Sequence, residues 1–219
     1  MTSSLRIRYQ TIEFGDMDIH VRTLRDNQQY SDDNDAAGKL GISSASWPIF
    51  GTVWASGEVL AHLMFDYHIA GKRILEVGCG IGLSSLLLNH RMADITATDY
   101  HPEAGNFLAE NARLNRDRAI PFMRTGWGDA DCGLGKFDLI IGSDLLYERD
   151  HVDLLAGFID LHAKPSCEVI LVDPARGHAA RYSKKMVSLG YSHSRIRPET
   201  RVLPAQPFPR GHILRYQRQ

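Results

Sequence analysis

One stretch, Ile74-Leu75-Glu76-Val77-Gly78-Cys79-Gly80-Ile81-Gly82-Leu83, constrains the fold of this chain more than any other. An apolar run of strand length enters a turn with three glycines and leaves it as a helix, Leu83 to His90. Glycine there frees φ and removes the Cβ that would hold a ligand away from the backbone. The same unit continues downstream: strand Asp94 to Thr98, helix Pro102 to Asn115, strand Phe137 to Ile141, helix Val152 to His162, strand Glu168 to Val172, helix Ala179 to Leu189. Short, wholly apolar strands separated by helices predict an α/β fold with a mostly parallel sheet covered on both faces.

The alternation stops after Leu189. Two extended segments, Tyr191 to Arg197 and His212 to Tyr216, have no helix between them and are expected to form an antiparallel hairpin at one sheet edge. At the other end of the chain, Leu5, Ile7 and Tyr9, then Ile19 and Val21, alternate with polar residues around Gly15-Asp16 and predict an N-terminal β-hairpin packed beside the main domain. Asn27 to Ser46 lacks an apolar period and reads as a mobile loop. Asp33 and Asp35 do not begin a calcium loop, because Ala37 and Ser44 stand where that loop needs an oxygen ligand and a glutamate. Ser56 is expected to cap a helix carrying Val59, Leu60, Leu63, Met64 and Tyr67. Residues 1–46 therefore read as an extension, and 47–219 as one globular domain.

The N-terminal residues lack the apolar core of a signal peptide, and no later run approaches the roughly 20 residues needed to span a bilayer. A cytoplasmic protein without membrane contact is the expectation. Cys79, Cys132 and Cys167 are too few and too scattered for a disulfide framework or a zinc site, so all three are expected as thiols and no metal is assigned. From Arg176 onward the chain has ten Lys or Arg and one acid, Glu199; that segment carries +9 and the rest −10. This is either a solvated face balancing an acidic body or a surface for an acidic partner.

The glycine turn reads G-x-G-x-G. A dinucleotide fingerprint would require its third glycine at Leu83, which argues against NAD. Asp99 ends the second strand about 20 residues after the turn, where a carboxylate can accept hydrogen bonds from both hydroxyls of a ribose. Together the two features predict an adenosine-type ligand at the carboxyl edge of the sheet.

At this point the residues resemble a known group. The runs Glu76-Val77-Gly78-Cys79-Gly80-Ile81-Gly82 and Phe137-Asp138-Leu139-Ile140-Ile141-Gly142-Ser143-Asp144, with Asp99, are similar to the first, fourth and second strand motifs of Rossmann-like, seven-strand S-adenosylmethionine-dependent methyltransferases. The pattern is closer still to methyltransferase family sixteen, which includes many protein-lysine methyltransferases and bacterial-type members. Gly51-Thr52-Val53-Trp54, Trp127-Gly128 and Asp144-Leu145-Leu146-Tyr147 carry that likeness, which covers about Phe50 to Val172. The resemblance implies that Trp54, Glu76, Gly78, Cys79, Gly80, Asp99, Trp127 and Ser143 contact S-adenosylmethionine, with Ser143 standing where the family often has alanine.

It also implies that Asp144 and Tyr147 match the D-x-x-Y motif of the lysine enzymes and form the catalytic site. Methyl transfer from a sulfonium is an in-line displacement, so the protein chiefly aligns donor and nucleophile. No nucleophilic triad or zinc-protease spacing is present. Leu145-Leu146 stand where enzymes acting on adenine or glutamine nitrogens have prolines. Asp144 alone would favour a charged ammonium, which leaves deprotonation of the amine open. Arg176, after the strand that ends at Asp173, either selects an acidic substrate or pairs with Asp173. The leading expectation is methylation of a lysine on a protein substrate, possibly an acidic one. A small-molecule amine or nucleic-acid acceptor, and a scaffold that binds the cofactor without turnover, remain as alternatives. The sequence leaves oligomeric state open.

Overall fold

A computed structural model describes residues 6–25, 32, 35, 37–44, 46–129, 133–199, 208 and 210–219. Leu5, Asp33, Cys132, Arg201 and much of the 27–36 loop lie outside the described residues. The chain opens with β1 (Ile7–Phe14) and β2 (Met17–Leu24), paired antiparallel from Ile7 opposite Leu24 to Phe14 opposite Met17. Gly15 turns the hairpin at φ +63°. Phe14, Ile19, Val21 and Leu24 are fully or almost fully buried and belong to the same core cluster as the helices that follow.

Those helices and strands are α1 (Ala55–Phe65), β3 (Arg73–Val77), α2 (Leu83–His90), β4 (Asp94–Asp99), α3 (Ala104–Leu114), β5 (Phe122–Arg124), β6 (Phe137–Ser143), α4 (His151–His162), β7 (Ala163–Asp173), α5 (Ala179–Ser188), β8 (Ser192–Ile196) and β9 (His212–Arg218). They build a seven-stranded sheet in the order β5-β4-β3-β6-β7-β9-β8. Strands β5, β4, β3, β6 and β7 are parallel; β9 runs antiparallel to both β7 and β8. The expected terminal hairpin is present, with its second strand inserted between β7 and β8. β9 alternates Ile213, Leu214 and Tyr216 into the two faces, whereas all five residues of β8 are exposed, so burial draws β9 to the inner position.

Alternate side chains of β3 enter different layers. Ile74 joins Leu139, Ile141, Ile170 and Val172 beneath α1, α2 and α3; Leu75 and Val77 join Ile140 and Leu171 beneath α4 and α5. α2 is buried from Leu83 to Asn89 because the sheet lies on one side and the hairpin reaches its other side. A helix so enclosed needs small or satisfied polar groups, and Ser85 supplies one that bonds inward to Glu76. Asn111 of α3, fully buried, accepts the Arg22 amide at 2.7 Å and donates to the carbonyls of Arg22 and Ile81. That one side chain ties the hairpin to the glycine turn.

Ser56 does not cap α1. The Trp54 backbone, extended at φ −97° and ψ 146°, caps the helix two residues earlier, and Ser56 is buried inside the first turn. Cys79 and Cys167 are buried free thiols. Among the described residues, no helix is long and apolar enough to cross a membrane.

Candidate active site

The order of the sheet positions the site. From β3 the chain moves outward to β4 and β5, then returns to the other side of β3 as β6, so the connections part above the carboxyl ends of β3 and β6. A crevice forms wherever a parallel sheet reverses in this way. Here it is a cavity of about 480 Å³ whose lining includes Gly78, Asp99, Trp127, Leu145, Tyr147 and His151. Two other concavities among the described residues lie elsewhere, beside Lys72 and Asp94 at the starts of the strands and beside α5 and β8.

The glycine turn forms the base. Gly78, Gly80 and Gly82 all have positive φ, at +62°, +56° and +77°. A Cβ on Gly78 would lie 2.5 Å from Leu145 Cδ2, and one on Gly80 would lie 2.8 Å from the Phe50 carbonyl oxygen. Side chains are therefore excluded twice, by conformation and by space. The turn is clamped to β4: the Cys79 amide donates to the Thr98 carbonyl, and the Gly80 amide donates to Asp99 Oδ2 at 2.8 Å. Asp99 Oδ1 accepts the His101 amide at 2.8 Å. Burial raises the Asp99 carboxyl from its ordinary value, opposed by these amides and that of Tyr100. Each carboxylate oxygen still has lone-pair capacity for a hydroxyl of a sugar.

The walls are largely aromatic. His151 meets Trp127 edge-on at 5.0 Å and Tyr147 edge-on at 4.6 Å. Across the cavity, His101 stacks on Phe50 at 3.8 Å, and burial lowers its imidazole to about 4, so the ring is neutral. Part of the expected mobile loop is a wall: Ile42, Ser43 and Ser46 line the cavity, and the Tyr100 hydroxyl donates to the Leu40 carbonyl at 2.7 Å. Carboxylates of Asp99, Asp129 and Glu148 line the space, and among the described residues no Lys or Arg does. Such a field favours a cation and disfavours a polyphosphate.

Of the residues picked from sequence, Gly78, Asp99, Trp127 and Tyr147 line the cavity, with Cys79 and Gly80 in the turn beneath them. Four lie apart from it. Glu76 faces α2, where its carboxylate accepts the Ser85 amide at 2.9 Å and the Ser85 hydroxyl; burial raises it to about 7. Ser143 lies beneath α1, so close to Gly57 that a Cβ there would stand 3.6 Å from its hydroxyl. The Trp54 indole donates to the Ile49 carbonyl, bracing the segment that carries Phe50.

Asp144 is the fourth, and its partner corrects the reading that paired the Arg176 side chain with Asp173. Arg176 Nε donates to Asp144 Oδ1 at 2.9 Å and Nη2 to Oδ2 at 2.7 Å, a two-pronged ion pair at the cavity's border. Asp173 instead accepts the Ala175 amide, forming the turn that presents Arg176. Sequence reasoning missed Phe50, His101 and His151. Positions just past strand ends were the available signal for His101, while the others depend on which loops the sheet brings together.

The family described as "Lysine methyltransferase" matches residues 43–187. The mouse electron transfer flavoprotein beta subunit lysine methyltransferase is 28% identical over 148 residues, 64% of this chain and 56% of that protein. The histone-arginine methyltransferase METTL23 of Xenopus laevis is 31% identical over 112 residues, 47% of each chain. The chain thus spans about half the length of the curated relatives it matches. In fold it is similar to the magnesium protoporphyrin IX methyltransferase of Synechocystis, solved with bound S-adenosylmethionine, at a TM-score of 0.58 and 20% identity over 75% of this chain and 78% of that one.

Proposed function

Since the chain belongs to the lysine methyltransferase family, we propose that it methylates the side-chain amine of a lysine on a protein, using S-adenosylmethionine held in the cavity above β3 and β6. The observation that carries this reading is the cavity's composition: a glycine-turn base, an acid at the end of β4, aromatic walls and three carboxylates unopposed, among the described lining residues, by lysine or arginine. A sulfonium nucleoside and an approaching amine are both drawn to such a field. A phosphate-bearing cofactor is not.

Asp99 would accept the ribose hydroxyls, the backbone of Gly78 to Gly80 would lie against the ligand, and Trp127 would flank the adenine. When bound, S-adenosylmethionine supplies a sulfonium methyl whose C–S bond breaks with its electron pair left on sulfur as the amine lone pair forms the new N–C bond. The amine must therefore arrive without its extra proton. Tyr147 narrows the route to that nitrogen, and burial holds its phenol protonated, pushed up to about 12. Asp144 aligns the amine from the border of the cavity.

Residues 47–219 form the methyltransferase domain, and 1–46 an extension that shares its core. Buried free thiols support a cytoplasmic setting. An acidic surface around the target lysine would suit the basic segment that begins at Arg176, although Arg181, Lys185, Arg215 and Arg218 already pair with Asp153, Glu168 and Asp160 of this chain.

Incubating the protein with isotopically labelled S-adenosylmethionine and a cell extract, then mapping labelled residues by mass spectrometry, tests the reading. Label on lysine is expected. Label on arginine alone, or only in nuclease-sensitive material, would overturn the acceptor assignment.

A further inference from the structure

The sequence offered Arg176 as a substrate selector or a partner of Asp173, yet the backbone is built around its contact with Asp144. Asp144 sits in the left-handed region at φ +53°, its amide bonded to the Val172 carbonyl at 2.9 Å. Ala175, immediately before Arg176, is also left-handed at φ +72°, a conformation that disfavours an alanine by roughly 1–2 kcal/mol. Asp173 holds it there through the Ala175 amide at 3.0 Å. Two left-handed residues on neighbouring loops thus bring a planar guanidinium flush against a carboxylate. The Asp144 side chain is only 14% exposed.

This geometry answers a chemical problem that the proposed function raises, and the inference rests on that reading. Lysine ordinarily holds its proton up to about 10.4. A bare carboxylate beside the amine would strengthen that hold by favouring the ammonium. We propose that Arg176 is a positioning residue that compensates the charge of Asp144, so that Asp144 accepts a hydrogen bond from the neutral amine without stabilising the ammonium. Arg176 occupies both carboxylate oxygens from one side and leaves their other lone pairs for the acceptor. The amine's proton leaves to solvent before attack, and nothing in the pair has to gain or lose one.

Other charged or titratable groups around the pair are Asp173 on the β7–α5 loop, Tyr147 and Glu148 beyond Asp144, His151 on α4, Asp99 on β4, and Arg195 and His212 behind Asp173. None of them bonds both oxygens of Asp144. The fork of Arg176 is the one cation among the described residues that does.

The test is the pH profile of labelled methyl transfer into the protein band that the parent protein methylates in a cell extract, at saturating S-adenosylmethionine. R176M is expected to shift the acid limb of the profile upward by about one to two pH units, with the rate recovering at high pH. R176K, which keeps the charge, should hold the limb near the parent's. D144N/R176M, which removes both charges, should return it there. A limb unmoved in R176M, or moved equally in R176K, overturns the inference, as does a double variant that fails to restore it. A loss of rate at every pH without a shift would mark a merely structural role and do the same. If R176M does not fold, R176Q carries the same expectation. A parent protein that labels no lysine overturns the underlying reading and this inference together; a parent that does, with the limb unmoved, overturns this inference alone.

Discussion

The Asp99 carboxylate accepts the Gly80 amide at 2.8 Å, joining the end of β4 to the middle of the glycine turn on β3. Two features that the sequence separates by 19 residues are therefore one object, and disturbing either should be read at the cofactor.

Asp99→Ala removes both the acceptor for a ribose and the clamp on the turn. A charge-assisted hydrogen bond contributes about 1.5–3 kcal/mol, so S-adenosylmethionine should bind roughly 10- to 100-fold more weakly. Calorimetric titration of the parent and the variant measures this. Affinities within twofold of each other would remove Asp99 from the cofactor site.

Asp144→Ala and Tyr147→Phe act at the acceptor's side of the cavity. Each should lower the rate of methyl transfer about 10²-fold while leaving cofactor affinity nearly unchanged, because misplaced reacting groups lose rate and not ground-state binding. Steady-state rates beside cofactor titrations separate the two quantities. Weakened cofactor binding with an intact maximal rate would place both residues in the wrong role.

Glu76 gives stability a pH dependence of definite sign. Its carboxyl is raised by burial from 4.5 in the unfolded chain to about 7 in the folded one, so the folded state holds the extra proton between those values. Stability from this group is fully present below about 4.5 and is lost as pH rises through about 7. Neutral His101, lowered by burial to about 4, has the opposite slope, losing stability as pH falls below 6.5. Comparing Glu76→Gln with the parent by urea unfolding cancels the His101 contribution. The variant should be relatively more stable at pH 8 than at pH 5, by up to roughly 3 kcal/mol. A difference independent of pH would show that Glu76 is not buried with a raised carboxyl.

Asn111→Ala should destabilise the fold by roughly 1–3 kcal/mol, because it strips partners from the Arg22 amide and the Arg22 and Ile81 carbonyls. Urea denaturation gives the loss. The hairpin should also become cleavable at lower protease concentration than in the parent; equal resistance would mean that apolar burial alone holds β1 and β2 in place.

Much of this molecule was legible in local pattern. Apolar runs at Arg73–Val77, Asp94–Asp99 and Phe137–Ser143 became inner strands within a residue or two of their expected ends, because a strand buried on both faces can hold almost nothing else. Gly78 and Gly80 were readable because their conformations exclude side chains, and Asp99 because its distance from them is set by one helix and one strand. Other residues misled. Ser56 has a good capping side chain, but the chain turns helical two residues too early to use it. Glu76 belongs to the glycine-turn motif, yet a strand alternates its side chains, and its parity sends the carboxylate to α2 and away from the cavity.

Local sequence determined the elements, the glycine turn and the acid that reaches back to it, since each depends on periodicity or on contacts a few residues away. Tertiary structure decided the rest. The pairing of Asp144 with Arg176 across 32 residues, the stacking of His101 on Phe50, and the seating of β9 between β7 and β8 exist only once strand order is fixed. Strand order is the outcome of which surfaces the whole chain can bury together, and no short window of residues contains that information.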